Sequence, residues 1–266
     1  VREAHRLGYD VIAVTDHGRP VSYHVAKPFG ESLGLVVLRG FETGIDKNEH
    51  FVALGAQGSY RPRDSHRWAE QPGQKTAYYQ DQMKQILADE GFLVLAHPRP
   101  ELREQTRWGI GHGVVCGVEV ANGKTRYEHS FNWALKHNLI LFANSDIHAT
   151  RAQKASVTLV LAEERSEKGV LDALRARRTV AWFPDAVWGR EDLLSDLLRA
   201  AVTIKQGPEI KPIGGPQCDV TLTNHSPLTL KGIILGKAGR LPEVSFELAP
   251  YQEETVNAVF ARAKIE

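Results

Sequence analysis

Short, nearly unbroken apolar runs recur along most of the chain: Val11–Thr15, Leu35–Leu38, Phe51–Leu54, Phe92–Ala96, Val114–Val120, Leu139–Ala143, Val157–Leu161 and Thr179–Phe183. Between several of them the apolar spacing lengthens to the 3.6-residue period of amphipathic helices. Thr76–Glu90 sets Tyr79, Met83, Ile86 and Leu87 on one side, with Thr76 the expected N-cap and Gly91 the stop. Thr125–Asn138 carries Phe131, Ala134 and Leu135, and Asn138 can close it in the left-handed conformation. Ser166–Arg177 and Glu191–Ala201 complete the helical set, burying Val170, Leu171 and Leu174 in one and Leu193, Leu194, Leu197 and Leu198 in the other. Strands that are apolar throughout are covered on both faces. The pattern therefore predicts a parallel sheet flanked by helices, open or closed into a barrel.

From about Thr203 the pattern changes. Pro, Gly and Asn now punctuate short strand-like runs at Asp219–Thr223, Leu228–Leu235, Val244–Leu248 and Thr255–Ala261, which predicts a small antiparallel all-β module. The Gly- and Pro-rich stretch Gln206–Gly215 marks the join, giving domains 1–205 and 206–266. At the other end, Val1–Leu7 already reads as a helix with Gly8 as its stop and no initiator Met. The expectation is a chain cut short at its N-terminus, and compartment cannot be read from that end.

The chemistry collects at the strand ends. Val11–Thr15 runs into Asp16-His17-Gly18, Leu35–Leu38 leads to Gly40-Phe41-Glu42, Phe92–Ala96 ends in His97-Pro98, and Leu139–Ala143 ends in Asn144-Ser145-Asp146-Ile147-His148. The carboxyl ends of parallel strands converge on one face of an α/β domain, where functional groups gather. His50 starts a strand instead of ending one. The turn-forming Asp46-Lys47-Asn48 lets the chain fold back as a hairpin, placing Glu42 and His50 opposite each other. Asp146 and His148, two apart, point to one side of an extended backbone. Converging imidazoles and carboxylates suit Zn²⁺, Mn²⁺ or Fe²⁺. Without thiolate ligands the site reads as catalytic, not structural.

Composition removes several classes of function. A chain of 266 residues, 42% hydrophobic and 24% charged, suits one large globular domain or a domain with an appendage. A net charge of +1 gives no strong electrostatic signal for a nucleic-acid partner. Cys116 and Cys218 form neither a disulfide framework nor a zinc-knuckle spacing. No apolar run is long enough to cross a bilayer. A homo-oligomer is compatible with the sequence.

The ordered set Thr15-Asp16-His17, Gly40-Phe41-Glu42, His50-Phe51, Ala96-His97-Pro98 and Ser145-Asp146-Ile147-His148 resembles the polymerase-and-histidinol-phosphatase (PHP) phosphoesterases over about Val1 to Lys205. The stretches Gly117–Gly123, Ala173–Thr179 and Gly189–Leu194 are similar to the phosphodiesterase branch that carries a small β domain after the barrel. The resemblance implies a distorted (β/α)7 TIM-like barrel, here missing its first strand, with two to three divalent metals in the complete protein. It implies that His50, His97 and Glu42 hold one metal and that Glu42 bridges to a second held with Asp146. His17 and His148 would hold the third, and His17, Asp146 and His148 would also serve catalysis. Family members open with a strand bearing His-x-His-Thr and then Ser-Asp-Gly, and those residues would lie upstream of Val1.

Arg99, following His97-Pro98, and His24, in the loop after the first motif, are the expected substrate contacts, with Arg103 and Arg107 further candidates from the loop before Val114. His66, His112, His129, His137 and His225 are read as surface or structural. The expected activity is hydrolysis of a small-molecule phosphate ester, diester or monoester, by a metal-activated water. Three alternatives stay open. One is a non-catalytic scaffold that binds metal or ligand. A second is a lactonase- or amidohydrolase-type enzyme, although those depend on a bridging carboxylated lysine and no Lys here ends a strand. The third is a proofreading nuclease module, which the near-neutral charge disfavours.

Overall fold

A computed structural model of the chain describes residues 1–17, 20–46, 49–56, 74–148, 156–210, 217–234 and 244–259. They divide into two compact units, residues 1–190 and 191–266.

The first unit is built on a mixed sheet. Strands β1 (Val11–Val14) and β2 (Val36–Asp46) are parallel, and β2 turns back antiparallel into β3 (Glu49–Leu54). Strand β3 is antiparallel to β4 (Phe92–Ala96), which is parallel to β5 (Val115–Asn122). On its other side β5 takes the parallel β7 (Ile140–Asn144) and, at its tip, the short antiparallel β6 (Thr125–Arg126). Three further strands, β8 (Val157–Val160), β9 (Thr179–Trp182) and β10 (Val187–Trp188), form a separate antiparallel sheet. The α/β character expected from the pattern is present. The pairing is mixed, not all-parallel, and a closed seven-stranded barrel is not seen among the described residues.

Both faces of the main sheet are covered, which is why its strands read as continuous apolar runs. On one face Phe41, Phe51, Leu93, Leu95, Val118, Val120 and Leu141 pack with Met83 and Ile86 of α3 (Gln74–Ala88) and Ala134 of α5 (Glu128–His137). On the other, Val36, Leu38, Leu54, Phe92, Val94, Ile140 and Phe142 pack with Val170, Leu171 and Leu174 of α6 (Glu167–Arg175). Ser166 caps α6 by accepting from the Gly169 N–H at 3.0 Å, the arrangement its position before the apolar periodicity predicts.

Several local expectations are corrected. Helix α3 starts at Gln74, so Thr76 lies inside it, and at its far end Glu90 takes the left-handed backbone (φ 64°) before Gly91. Thr125 and Arg126 form β6, and α5 begins only at Glu128; Asn138 does close α5 in the left-handed conformation. Two segments read as loops are helical. His24 lies on α2 (Val21–Ser32), which the internal Pro28 disguises. Arg107 lies on α4 (Glu104–Gly111), with Arg103 at its N-cap.

The second unit holds α7 (Glu191–Ala201) and a three-stranded antiparallel sheet of β11 (Val202–Gln206), β12 (Gln217–Asn224) and β15 (Glu253–Val259), with β13 (Leu230–Ile234) paired to β14 (Val244–Leu248). Cys218, Val220, Leu222, Leu248 and Ala258 form its core. The second compact unit begins at Glu191, and within it β11 pairs along its length with β12, Val202 facing Asn224 and Gln206 facing Val220. Both cysteines are free. No helix among the described residues is long and apolar enough to cross a membrane.

Candidate metal centre

Four of the expected residues, His17, Glu42, His50 and His97, lie on or just beyond four successive strands of the sheet, β1 to β4. Beyond β1, the Asp16 backbone carbonyl accepts from the Glu42 N–H at 3.2 Å, and His17 forms a bridge beside Glu42. On β2, side chains alternate: Phe41 enters the core and Glu42 takes the opposite face, the one that begins with Val36 and Leu38. Glu42 therefore lies within a long strand and not beyond the end of a short one. The hairpin expected to bring His50 back is present, although Lys47 and Asn48 of its turn lie outside the described residues. Its register differs from the expectation: His50 faces Gly44, and Glu42 faces Val52, with an irregularity between Gly44 and Asp46. The diagonal still serves, because positions two apart share a face. His50 Nδ1 lies 2.8 Å from Glu42 Oε1. His50 also pairs with Ala96 across to β4, which sets it beside His97.

His97 Nε2 is 3.4 Å from the same Glu42 Oε1, and His17 Nε2 is 3.7 Å from Oε2. The imidazole rings of His17 and His97 each stand edge-on to that of His50, at 5.6 and 5.0 Å between centroids. Among the described residues, one ligand atom each from Glu42, His50 and His97 lie within 4.8 Å of one another. Two imidazole nitrogens and one carboxylate oxygen at that spacing fit a borderline-soft divalent cation.

Electrostatics here are dominated by the one carboxylate. Burial pushes the Glu42 carboxyl up, but the hydrogen bond with His97 and the charges of His17, His50 and His97 outweigh it and hold Glu42 below the usual carboxylate range. The hydrogen bond to Glu42 raises His97, against burial, with Glu119 and Asp146 adding to the rise.

Asp146 and His148 are neighbours, though not by the extended geometry expected. Residues 145–148 follow β7 as irregular chain, and Asp146 has a left-handed backbone, φ 47°. His148 Nδ1 lies 2.8 Å from the Asp146 carbonyl oxygen and 3.5 Å from its Oδ1, with most of the ring exposed. Asp146 Oδ2 accepts from Asn122 Nδ2 at 3.1 Å. His24 is on the exposed side of α2, its ring edge-on to Tyr23. Arg99 shares a depression with His97, Pro98, Glu101, Arg103 and the buried Glu49, whose carboxyl burial pushes up. Arg103 and Arg107 line the surface that continues it. Of the histidines read as structural, His112 stacks on Trp108, His129 stands edge-on to Trp133, and His225 meets Thr203 Oγ1 at 2.7 Å. His66 lies outside the described residues.

Sequence reasoning gave no role to Glu119, Asn122 or Asn144. Glu119 is only 2% exposed on β5, yet it accepts from the His97 N–H at 2.6 Å, Asn144 Nδ2 at 2.8 Å and Asn122 Nδ2 at 3.1 Å. The available signal was a lone acid within the apolar run Val114–Val120.

Comparison with solved structures shows the fold to be PHP-like. The chain is similar, at 25% identity and a TM-score of 0.80, to a two-domain protein from Bacteroides vulgatus containing a predicted PHP-like metal-dependent phosphoesterase. That match covers 99% of this chain and 81% of the other. A more distant likeness, at 16% identity and a TM-score of 0.44, is to a protein from Bifidobacterium adolescentis provisionally described as a metal-dependent phosphoesterase, over 66% of this chain and 89% of that one. No protein-family model and no curated protein sequence matches the chain.

Proposed function

We propose that the chain is a metal-dependent hydrolase of phosphate esters, acting on small diesters or monoesters in preference to polymeric nucleic acid. The observation that carries this reading is the convergence of Glu42, His50 and His97, with His17 beside them, on a fold similar to a predicted phosphoesterase. In this reading Glu42, His50 and His97 would hold one Zn²⁺, Mn²⁺ or Fe²⁺, Glu42 and Asp146 would share in holding a second, and His17 and His148 would hold a third. Divalent metals supply Lewis-acid neutralisation of the phosphoryl oxygens and lower the pKa of water. His17, Asp146 and His148 are the catalytic residues of the proposal, placing water and leaving group around the ester. Arg99 beside His97 gives a planar fork for a phosphate oxygen pair, and His24 is the second proposed substrate contact. No serine or cysteine nucleophile is required.

The test is hydrolysis of bis(p-nitrophenyl) phosphate by protein stripped with chelator and reloaded with Zn²⁺, Mn²⁺ or Fe²⁺. Stripping should abolish turnover and reloading restore it. Glu42→Ala and His97→Ala should each lower kcat/KM by about 10³-fold, the scale of the several kcal/mol that metal charge stabilisation contributes. Turnover of a lactone with none of the phosphodiester would overturn the reading.

A further inference from the structure

Six non-glycine residues have positive φ among those described, and four of them serve turns. Glu90, Asn138 and Arg177 close helices, and Tyr251 lies in the turn before β15. The other two are His97, at φ 30°, and Asp146, at φ 47°. Both follow strands that pair parallel with β5, and both are residues of the proposed metal centre. A non-glycine residue persists in this region only when its surroundings over-determine it.

The surroundings common to both lead to one carboxylate. Glu119 lies two positions after Gly117 on β5, and a Cβ at Gly117 would meet Val94 and Phe142, so Glu119 shares their face of the sheet. One of its oxygens, Oε2, accepts from the His97 backbone N–H and from Asn122 Nδ2. That same Asn122 nitrogen donates to Asp146 Oδ2. The other oxygen, Oε1, accepts from Asn144 Nδ2, at the end of β7 and two residues before Asp146. A single buried group thus ties the ends of β4, β5 and β7.

We infer that Glu119 is a positioning residue which, directly and through Asn122, fixes His97 and Asp146 in the strained conformations that aim them at a shared metal cluster. The inference rests on the metal-centre reading above and adds a role for a residue outside the proposed ligand set. Its physical basis is that ligands bind tightly when their orientation is set before the ion arrives, and loss of such outer partners weakens affinity by about 10–100-fold. A buried acid that served folding alone would have no cause to collect both strained ligand segments.

The experiment uses Co²⁺ as probe on metal-free protein, reading affinity and the visible d–d spectrum alongside the thermal midpoint without metal. Glu119→Leu keeps the bulk and removes every acceptor. It should weaken Co²⁺ by about 10–100-fold and shift the d–d bands. Glu119→Gln keeps an oxygen for the His97 N–H and should stay within about threefold of wild type, on the view that this contact matters most. Leu171→Ala in the α6 core should lower the thermal midpoint and leave the cobalt spectrum unchanged. If Glu119→Leu does not fold, Asn122→Ala decides, with about tenfold weaker Co²⁺ expected at an unchanged midpoint. Wild-type affinity and spectrum in Glu119→Leu, or in Asn122→Ala where that variant decides, would overturn the inference while leaving the metal centre standing. A wild-type protein that binds no Co²⁺ would instead remove the metal centre, and this role with it.

Discussion

Glu42 is the residue on which the site turns. One carboxylate faces three imidazoles, and its two oxygens divide them, His50 and His97 on Oε1 and His17 on Oε2. The metal-free protein should register that arrangement in its pH dependence. Glu42 titrates below its ordinary value, so its contribution is present above the unfolded carboxylate value of about 4.3 and is lost as pH falls through the depressed one. His97 titrates above its ordinary value, so its contribution is present below about 6.5 and is lost as pH rises through the elevated one. The two describe one pair. The thermal midpoint of wild type should therefore exceed that of Glu42→Gln most between about pH 4.3 and 6.5, narrowing on either side. A difference that stays flat from pH 3 to 9 would mean that the pair does not form. At this scale His17, Glu42, His50 and His97 are legible in the sequence because His and acids are rare beside apolar strands. Glu119 was not, because a buried acid states nothing of its partners until β4, β5 and β7 are placed side by side.

At the scale of elements, strands were easier to read than helices. The apolar runs Phe92–Ala96 and Val244–Leu248 reappear as β4 and β14 with the same limits. Helix α2 was hidden by Pro28, and α4 by its two glycines, the interior Gly109 and the terminal Gly111. Strand direction was the larger miss. Apolar runs signal burial on both faces and say nothing of parallel or antiparallel pairing, so β8 and β9 were free to run against each other, whereas the antiparallel β3 was announced by the turn residues before it. The hairpin register slipped for a similar reason: an irregularity at Gly44–Asp46 shifts the pairing, and turn residues alone do not reveal it. Close packing between elements gives a prediction. A Cβ at Gly91 would stand 2.7 Å from Ala56 Cβ and 2.9 Å from its backbone N and Cα. Gly91→Ala should cost about 1–3 kcal/mol in denaturant unfolding, with little change in Co²⁺ affinity because the clash lies at the opposite end of β4 from His97. A variant as stable as wild type would show that the β3–β4 edge is looser than described.

Across the whole molecule, the proposed ligands all lie in the first unit, and the described residues of the second, which holds α7 and five strands, supply none of them. The periodicity of the sequence changes near Thr203, which lies on β11. Anomalous diffraction from crystals grown with Mn²⁺ or Zn²⁺ tests the central claim most directly. The account predicts an anomalous peak about 2.0–2.3 Å from a Glu42 oxygen and from a ring nitrogen of both His50 and His97. A bound metal held elsewhere in the chain, with that triad left free of density, would contradict it.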